Sequence, residues 1–134
     1  MPTKNDNVVL VVDDDKLARS VIVNMLELKG YKILEADSTH DAMDHLRSRE
    51  RIDLLVTDFY MPGNLNGEQF VKLARSVRPE LKVLYATGYA DALREDTLDS
   101  DDTQLLAKPF QLNVLLSKVN TMIAGQGDSL NTAA

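Results

Sequence analysis

The chain contains no cysteine and no tryptophan. Without thiols it can have no disulfide framework, no thiolate zinc site and no cysteine nucleophile. No apolar run approaches the ~20 residues that cross a bilayer. The polar start MPTKNDN lacks the apolar core of a signal peptide, so the expectation is a soluble, cytoplasmic protein without membrane contact. An excess of basic charge is missing too. Twenty-one acids face 15 Lys and Arg, for a net charge of −6, and the phosphate contacts of nucleic-acid binding need the opposite balance. There is no G-x-x-x-x-G-K-[ST] segment, which sets aside P-loop kinase chemistry. What remains is ordinary for a globular domain: 44% apolar and 27% charged over 134 residues, enough for one core and too short for two.

Apolar strand-like runs alternate with helical patterns along the chain. Val8–Val12 reads as a strand buried on both faces. A helix follows from about Lys16, with Leu17, Val21, Ile22, Met25 and Leu26 on one face and Gly30 as its stop. Tyr31–Ala36 is a second strand, and Ser38 caps a helix to about Arg49 with Ala42, Met43 and Leu46 inward. Ile52–Thr57 is a third strand ending at Asp58. The loop FYMPGNLNG must turn. A third helix buries Phe70, Leu73, Ala74 and Val77, and Leu81–Ala86 is the fourth strand. Residues 89–103 offer little to bury and carry six acids, so a short or irregular fourth helix is expected. Gln104–Ala107 is a brief fifth strand. The last helix carries Leu112, Leu115, Leu116, Val119, Met122 and Ile123 at 3.6 spacing. The domain is expected to end at residue 124, with 125–134 a flexible tail or cut linker.

Five βα units in this length predict a doubly wound, flavodoxin-like parallel sheet of order 2-1-3-4-5. Ligands bind such folds at the carboxyl ends of the strands. Asp13, Asp14, Asp58, Thr87 and Lys108 stand at those ends, far apart in sequence. Three consecutive acids, Asp13 to Asp15, follow an apolar strand directly. One acid suffices to cap the next helix, and that role falls to Asp15. The other two repel each other and call for a positive partner. Oxygen donors of this kind suit Mg²⁺, which takes one or two carboxylates and keeps several waters. A cation there also screens an incoming phosphoryl group. An aspartate can be the nucleophile, forming an acyl phosphate, while a lysine and a hydroxyl hold the other phosphoryl oxygens.

The pair DD after the first strand, D-x-x-M-P at Asp58–Pro62, T-G at Thr87–Gly88 and K-P-F at Lys108–Phe110 resemble the receiver domain of two-component response regulators over about residues 6–124. The resemblance implies that Asp58 accepts the phosphoryl group. It implies that Asp14, Asp58 and the backbone carbonyl of Tyr60 bind Mg²⁺ directly and Asp13 through water. Thr87 becomes the switch hydroxyl, Lys108 the phosphate-binding cation, and the Lys108–Pro109 peptide is expected to be cis. The implied donor is a histidine kinase or a histidine phosphotransfer protein, with dimerisation on phosphorylation a further option. The implied chemistry is that of a signalling module with slow self-dephosphorylation, not of a turnover enzyme. Two departures stand out. Leu105 replaces the Tyr or Phe that many receivers swing inward, and the loop MPGNLNG is one residue longer than the common form. With TGYADALRE and LLAKPF, these features look like receivers attached to hybrid sensor kinases. The expectation is a receiver without an output domain, either free-standing or part of something larger.

Each residue also has a plain reading: a capped helix at Asp13–Asp15, a loop acid at Asp58, a turn residue at Thr87, a surface charge at Lys108. Jointly they leave the convergence of five residues, Asp13, Asp14, Asp58, Thr87 and Lys108, to coincidence. His40 and His45 read as exposed, without partner spacing for a metal. Phe70 and Phe110 read as core. An aspartate-nucleophile phosphatase is the rival chemistry, but its pattern places D-x-D-x-[TV] at the first strand, where this chain has DDDK. A flavin module would need a phosphate-cradling loop there, which three acids oppose. The resemblance to receivers further implies that Tyr60 and Tyr89, two residues past Asp58 and Thr87, flank the path of attacking water.

Overall fold

The computed structural model describes residues 6–59, 66–88 and 102–133. Nine elements follow in order: β1 Val8–Val12, α1 Lys16–Leu28, β2 Lys32–Ala36, α2 Thr39–Arg47, β3 Leu54–Thr57, α3 Gly67–Val77, β4 Val83–Thr87, β5 Thr103–Ala107 and α4 Leu112–Ala133. The strands form one parallel sheet in the order β2-β1-β3-β4-β5, as the sequence predicts.

The unbroken apolar run of β1 has a direct structural reason. Val9 and Val11 enter one core with Ile22, Val23 and Leu26 of α1 and Leu115 and Val119 of α4. Leu10 and Val12 point the other way, into a core with Met43 and Leu46 of α2 and Phe70 and Ala74 of α3. A strand covered on both faces has no position for a polar side chain until it ends. Its first polar residue is Asp13. This alternation puts Asp13, Asp58, Thr87 and Lys108 at one edge of the sheet and leaves its two faces for packing.

Local signals start and stop the helices. Asp15 caps α1 by accepting from the amides of Leu17 and Ala18, as expected. Ser38 caps α2 through the Asp41 amide. Asn66 caps α3 in a reciprocal box with Gln69. Gly30 takes a positive φ of 90° just after α1, a conformation that favours glycine. At the far end of the sheet, the Arg78 guanidinium donates to the carbonyls of Leu46, Ser48 and Glu50. It thereby closes the carboxyl end of α2 from the neighbouring helix.

Several expectations shift. In α1, Leu17 and Val21 are exposed, and Val23 joins Ile22 and Leu26 inside. A helix lying on a sheet buries a stripe about 100° wide, and Leu17 and Val21 fall outside the one centred on Ile22 and Leu26. Leu73 and Val77 lie on the flank of α3 and Leu112 on that of α4, all partly exposed, while Val71 is buried. β2 begins at Lys32 and β3 at Leu54, though Tyr31 is buried in the first core. The backbone of α4 continues to Ala133, past the tail expected from residue 125. The expected fourth helix falls mostly on residues 89–101, outside the described residues.

Candidate functional site

Strand register does most of the assembly. Val12 pairs with Thr57, so Asp13 and Asp58 leave adjacent strands side by side. The Asp58 amide donates to the Val12 carbonyl at 3.2 Å. On the other side, Thr87 pairs with Ala107, and the Lys108 amide donates to the Thr87 carbonyl at 2.9 Å. Because β3 and β4 are neighbours, the two pairs face one pocket at the carboxyl edge of the sheet.

Lys108 closes that pocket. Its Nζ donates to Asp13 Oδ2 at 2.9 Å and to Asp58 Oδ2 at 3.3 Å. Asp13 is 2% exposed. Its amide donates to the Ala36 carbonyl, and its Oδ1 accepts from the Asp15 amide at 2.9 Å. Asp58 is more open, its side chain 14% exposed. The Thr57 hydroxyl donates to the Asp58 carbonyl at 3.1 Å. Thr87 is fully buried and Asp14 is exposed. Burial alone would push the Lys108 ammonium toward neutrality. The hydrogen bond and charge of Asp13, joined by those of Asp58, outweigh it and raise its pKa above the ordinary lysine value.

The positive partner demanded by the acids is therefore supplied in part by the chain itself. Three carboxylates against one ammonium still leave negative charge at the edge. The donors are all oxygen, the chemistry that a hard divalent cation such as Mg²⁺ requires. The set fits that ion. It is an open set, however. Among the described residues, the three whose candidate ligand atoms lie within 4.8 Å of one another are His40, Asp41 and Asp44 on the exposed face of α2. His40 thus has acidic neighbours at metal-ligand spacing, contrary to expectation. His45 is half-buried, with Nδ1 2.9 Å from Glu50 and Nε2 3.2 Å from the Glu35 carbonyl.

The Lys108–Pro109 peptide is cis, as expected. Leu105 is half-buried against the second core. Phe70 is fully buried there, and Phe110 packs against the first core. Tyr60 and Tyr89 lie outside the described residues.

Two contributors escape the sequence reading. Gly67 opens α3 hard against Phe59, the residue after Asp58; the Asn-Gly pair suggests only a turn. Arg19 reaches back from the first turn of α1 to the Asp13 carbonyl at 2.6 Å. Its spacing from the acid run, one helical turn past Asp15, is the signal that could have found it.

A family model described as the response regulator receiver domain matches residues 9–120. Response regulator receiver protein CpdR of Brucella abortus is 33% identical over 116 residues, covering 86% of this chain and 95% of that protein. Several other curated relatives are longer, and the chain spans from 13% to 50% of their length. Among solved structures, the receiver domain from the hybrid histidine kinase CckA superposes with a TM-score of 0.74 at 29% identity, over 87% of this chain and 99% of that one. TrrA of Thermotoga maritima, solved in complex with Mg²⁺-BeF, superposes with a TM-score of 0.74 at 26% identity, over 87% and 98%.

Proposed function

Because the chain belongs to the response regulator receiver family, we propose that it takes a phosphoryl group onto Asp58 from the phosphohistidine of a histidine kinase or histidine phosphotransfer protein. A carboxylate oxygen of Asp58 bonds to phosphorus as the phosphorus–nitrogen bond of the donor breaks, and the leaving imidazole takes up a proton. Asp13, Asp14 and Asp58, with the backbone carbonyl of Tyr60, would hold Mg²⁺, which when bound offsets charge on the phosphoryl oxygens. The Lys108 ammonium, already between Asp13 and Asp58, exchanges its bond to Asp58 for one to a phosphoryl oxygen. The Thr87 hydroxyl donates to another. The acyl phosphate adds negative charge beside the buried Asp13 carboxylate and the Lys108 ammonium, and the segment after Thr87 adjusts to it.

The observation that carries this reading is the single ammonium bridging Asp13 at 2.9 Å and Asp58 at 3.3 Å. It couples residues of three strands in the one place where a phosphoryl group could sit on Asp58. Incubation with Mg²⁺ and acetyl phosphate should add one phosphoryl mass, absent in Asp58→Asn and without Mg²⁺. Labelling that persists in Asp58→Asn would refute it. Many turnovers of acetyl phosphate per chain would favour a phosphatase instead.

A leucine at 105 has no hydroxyl to exchange partners, so the read-out does not use an aromatic swing there. It passes from Thr87 through packing around Tyr89 and the segment 89–103. No nucleic-acid contact or membrane contact is assigned to this domain; its output is a change of protein partner.

A further inference from the structure

The β1–α1 turn carries Asp13, Asp14 and Asp15, and its shape decides where the exposed Asp14 carboxylate points. Asp13 is tied at every polar atom. Its amide bonds Ala36, its Oδ1 the Asp15 amide and its Oδ2 Lys108. The remaining atom, the backbone oxygen, belongs to the peptide plane that leads into Asp14. It accepts from Arg19 Nη1 at 2.6 Å. The same guanidinium places Nε 3.1 Å from Glu35 Oε1 on β2. Arg19 is 14% exposed and Glu35 half-exposed.

We propose that Arg19, held by Glu35, is the positioning residue of this turn and sets its affinity for a divalent cation without touching the cation or the phosphoryl group. This rests on the reading of the pocket as a Mg²⁺-assisted phosphoryl acceptor. The fork geometry matters. Arginine offers two donors in a fixed plane, one for the peptide oxygen and one for the carboxylate. The peptide plane between Asp13 and Asp14 is thereby locked to β2, and the Asp14 side chain starts from one orientation. Glu35 has a second effect. It occupies the guanidinium, a cation that would otherwise turn to the neighbouring carboxylates and compete with the metal. Residues that orient ligands in this way typically change metal affinity by about 10- to 100-fold when removed.

The test is Mg²⁺ titration calorimetry of the full chain, with amide NMR of the metal-free protein. In Arg19→Ala the Mg²⁺ dissociation constant should rise about tenfold or more, and Glu35→Gln should raise it as well. Arg19→Lys, with a single nitrogen in place of two held in one plane, should recover only part of the loss. Asp58 labelling by acetyl phosphate at saturating Mg²⁺ should reach the wild-type extent, so the change falls on half-saturation. Without metal, the Asp14 and Asp15 amide signals should shift in Arg19→Ala. If Arg19→Ala fails to fold, Glu35→Gln, which removes only an exposed charge, decides the question. Unchanged Mg²⁺ affinity in the folded variants, or a fall in melting temperature alone, overturns the role of Arg19. A wild-type chain that binds no Mg²⁺ overturns the underlying reading of the pocket, and this inference with it.

Discussion

Gly67 and Phe59 meet backbone to backbone. The Gly67 amide donates to the Phe59 carbonyl at 2.7 Å. A Cβ built on Gly67 would stand 2.7 Å from Phe59 Cα and 2.8 Å from its carbonyl oxygen. No rotamer change relieves a clash with backbone. The first turn of α3 is thus pressed against the residue that follows Asp58, and the Phe59 ring packs edge-on against Tyr85 at 5.5 Å. Gly67→Ala should lower stability by about 2–3 kcal/mol and slow phosphoryl acceptance by displacing Asp58. Gly88→Ala, where nothing lies within 4 Å, serves as the control and should leave urea unfolding nearly unchanged. Equal effects of the two substitutions would refute the close-approach argument.

Lys108 stabilises the metal-free fold through Asp13. Removing it leaves a carboxylate that is 2% exposed without its cation. Lys108→Met should cost about 2 kcal/mol in urea unfolding without Mg²⁺, toward the low side for a buried pair because the lysine is partly exposed. Adding Asp13→Asn should restore most of the loss. Asp14→Ala, which removes an exposed like charge, should raise the unfolding midpoint, a gain of about 1 kcal/mol in stability. A double variant no better than Lys108→Met would show that the ammonium acts through packing instead.

Alkali should weaken the fold through two groups. The folded pKa of Lys108 is raised by Asp13 and Asp58 against the opposing effect of burial. Its contribution is fully present below the unfolded lysine value and is lost as pH rises through the folded one. Burial raises the Tyr85 phenol to about 12. The unfolded phenol ionises first, near pH 10, so stability falls again between those two values. Denaturant unfolding across this range should show a falling stability whose slope is reduced in Tyr85→Phe. A flat profile would contradict both assignments.

The lifetime of the acyl phosphate is expected to be long for a receiver. Hydrolysis needs water in line with the phosphorus–oxygen bond, and the phenols of Tyr60 and Tyr89 would crowd that path without acting as bases at neutral pH. Tyr60→Asn with Tyr89→Glu should speed loss of the phosphoryl group severalfold, followed by mass spectrometry. An unchanged rate would assign the rings to docking instead.

The read-out should be visible in amide exchange. With a phosphoryl mimic bound, protection should change most over residues 87–103, since a sequence with few apolar side chains to bury is the cheapest to redistribute. Changes confined to α4 would mean that the signal leaves by another route.

Sheet order and the edge at which the site lies were legible in the sequence, because both follow from local rules. Apolar runs separated by helical periods can wind in few ways, and a strand buried on both faces must place its first polar residue at its end. Asp15 as a cap and the convergence of Asp13, Asp58 and Lys108 follow from the same reasoning. Which face each helix buries was less legible. Leu17, Val21, Leu73 and Val77 fit an apolar stripe by spacing, but the sheet decides which stripe it covers. The close approach of Gly67 to Phe59 was not legible, and Arg19 left only a spacing signal, one helical turn past the acid run. That its guanidinium would lie between the Asp13 carbonyl and Glu35 of β2 depends on where β2 comes to rest, which local sequence does not encode. Residue chemistry set what the pocket can do. The tertiary structure alone decided that one ammonium would bridge its two acids and that one guanidinium would hold the turn between them.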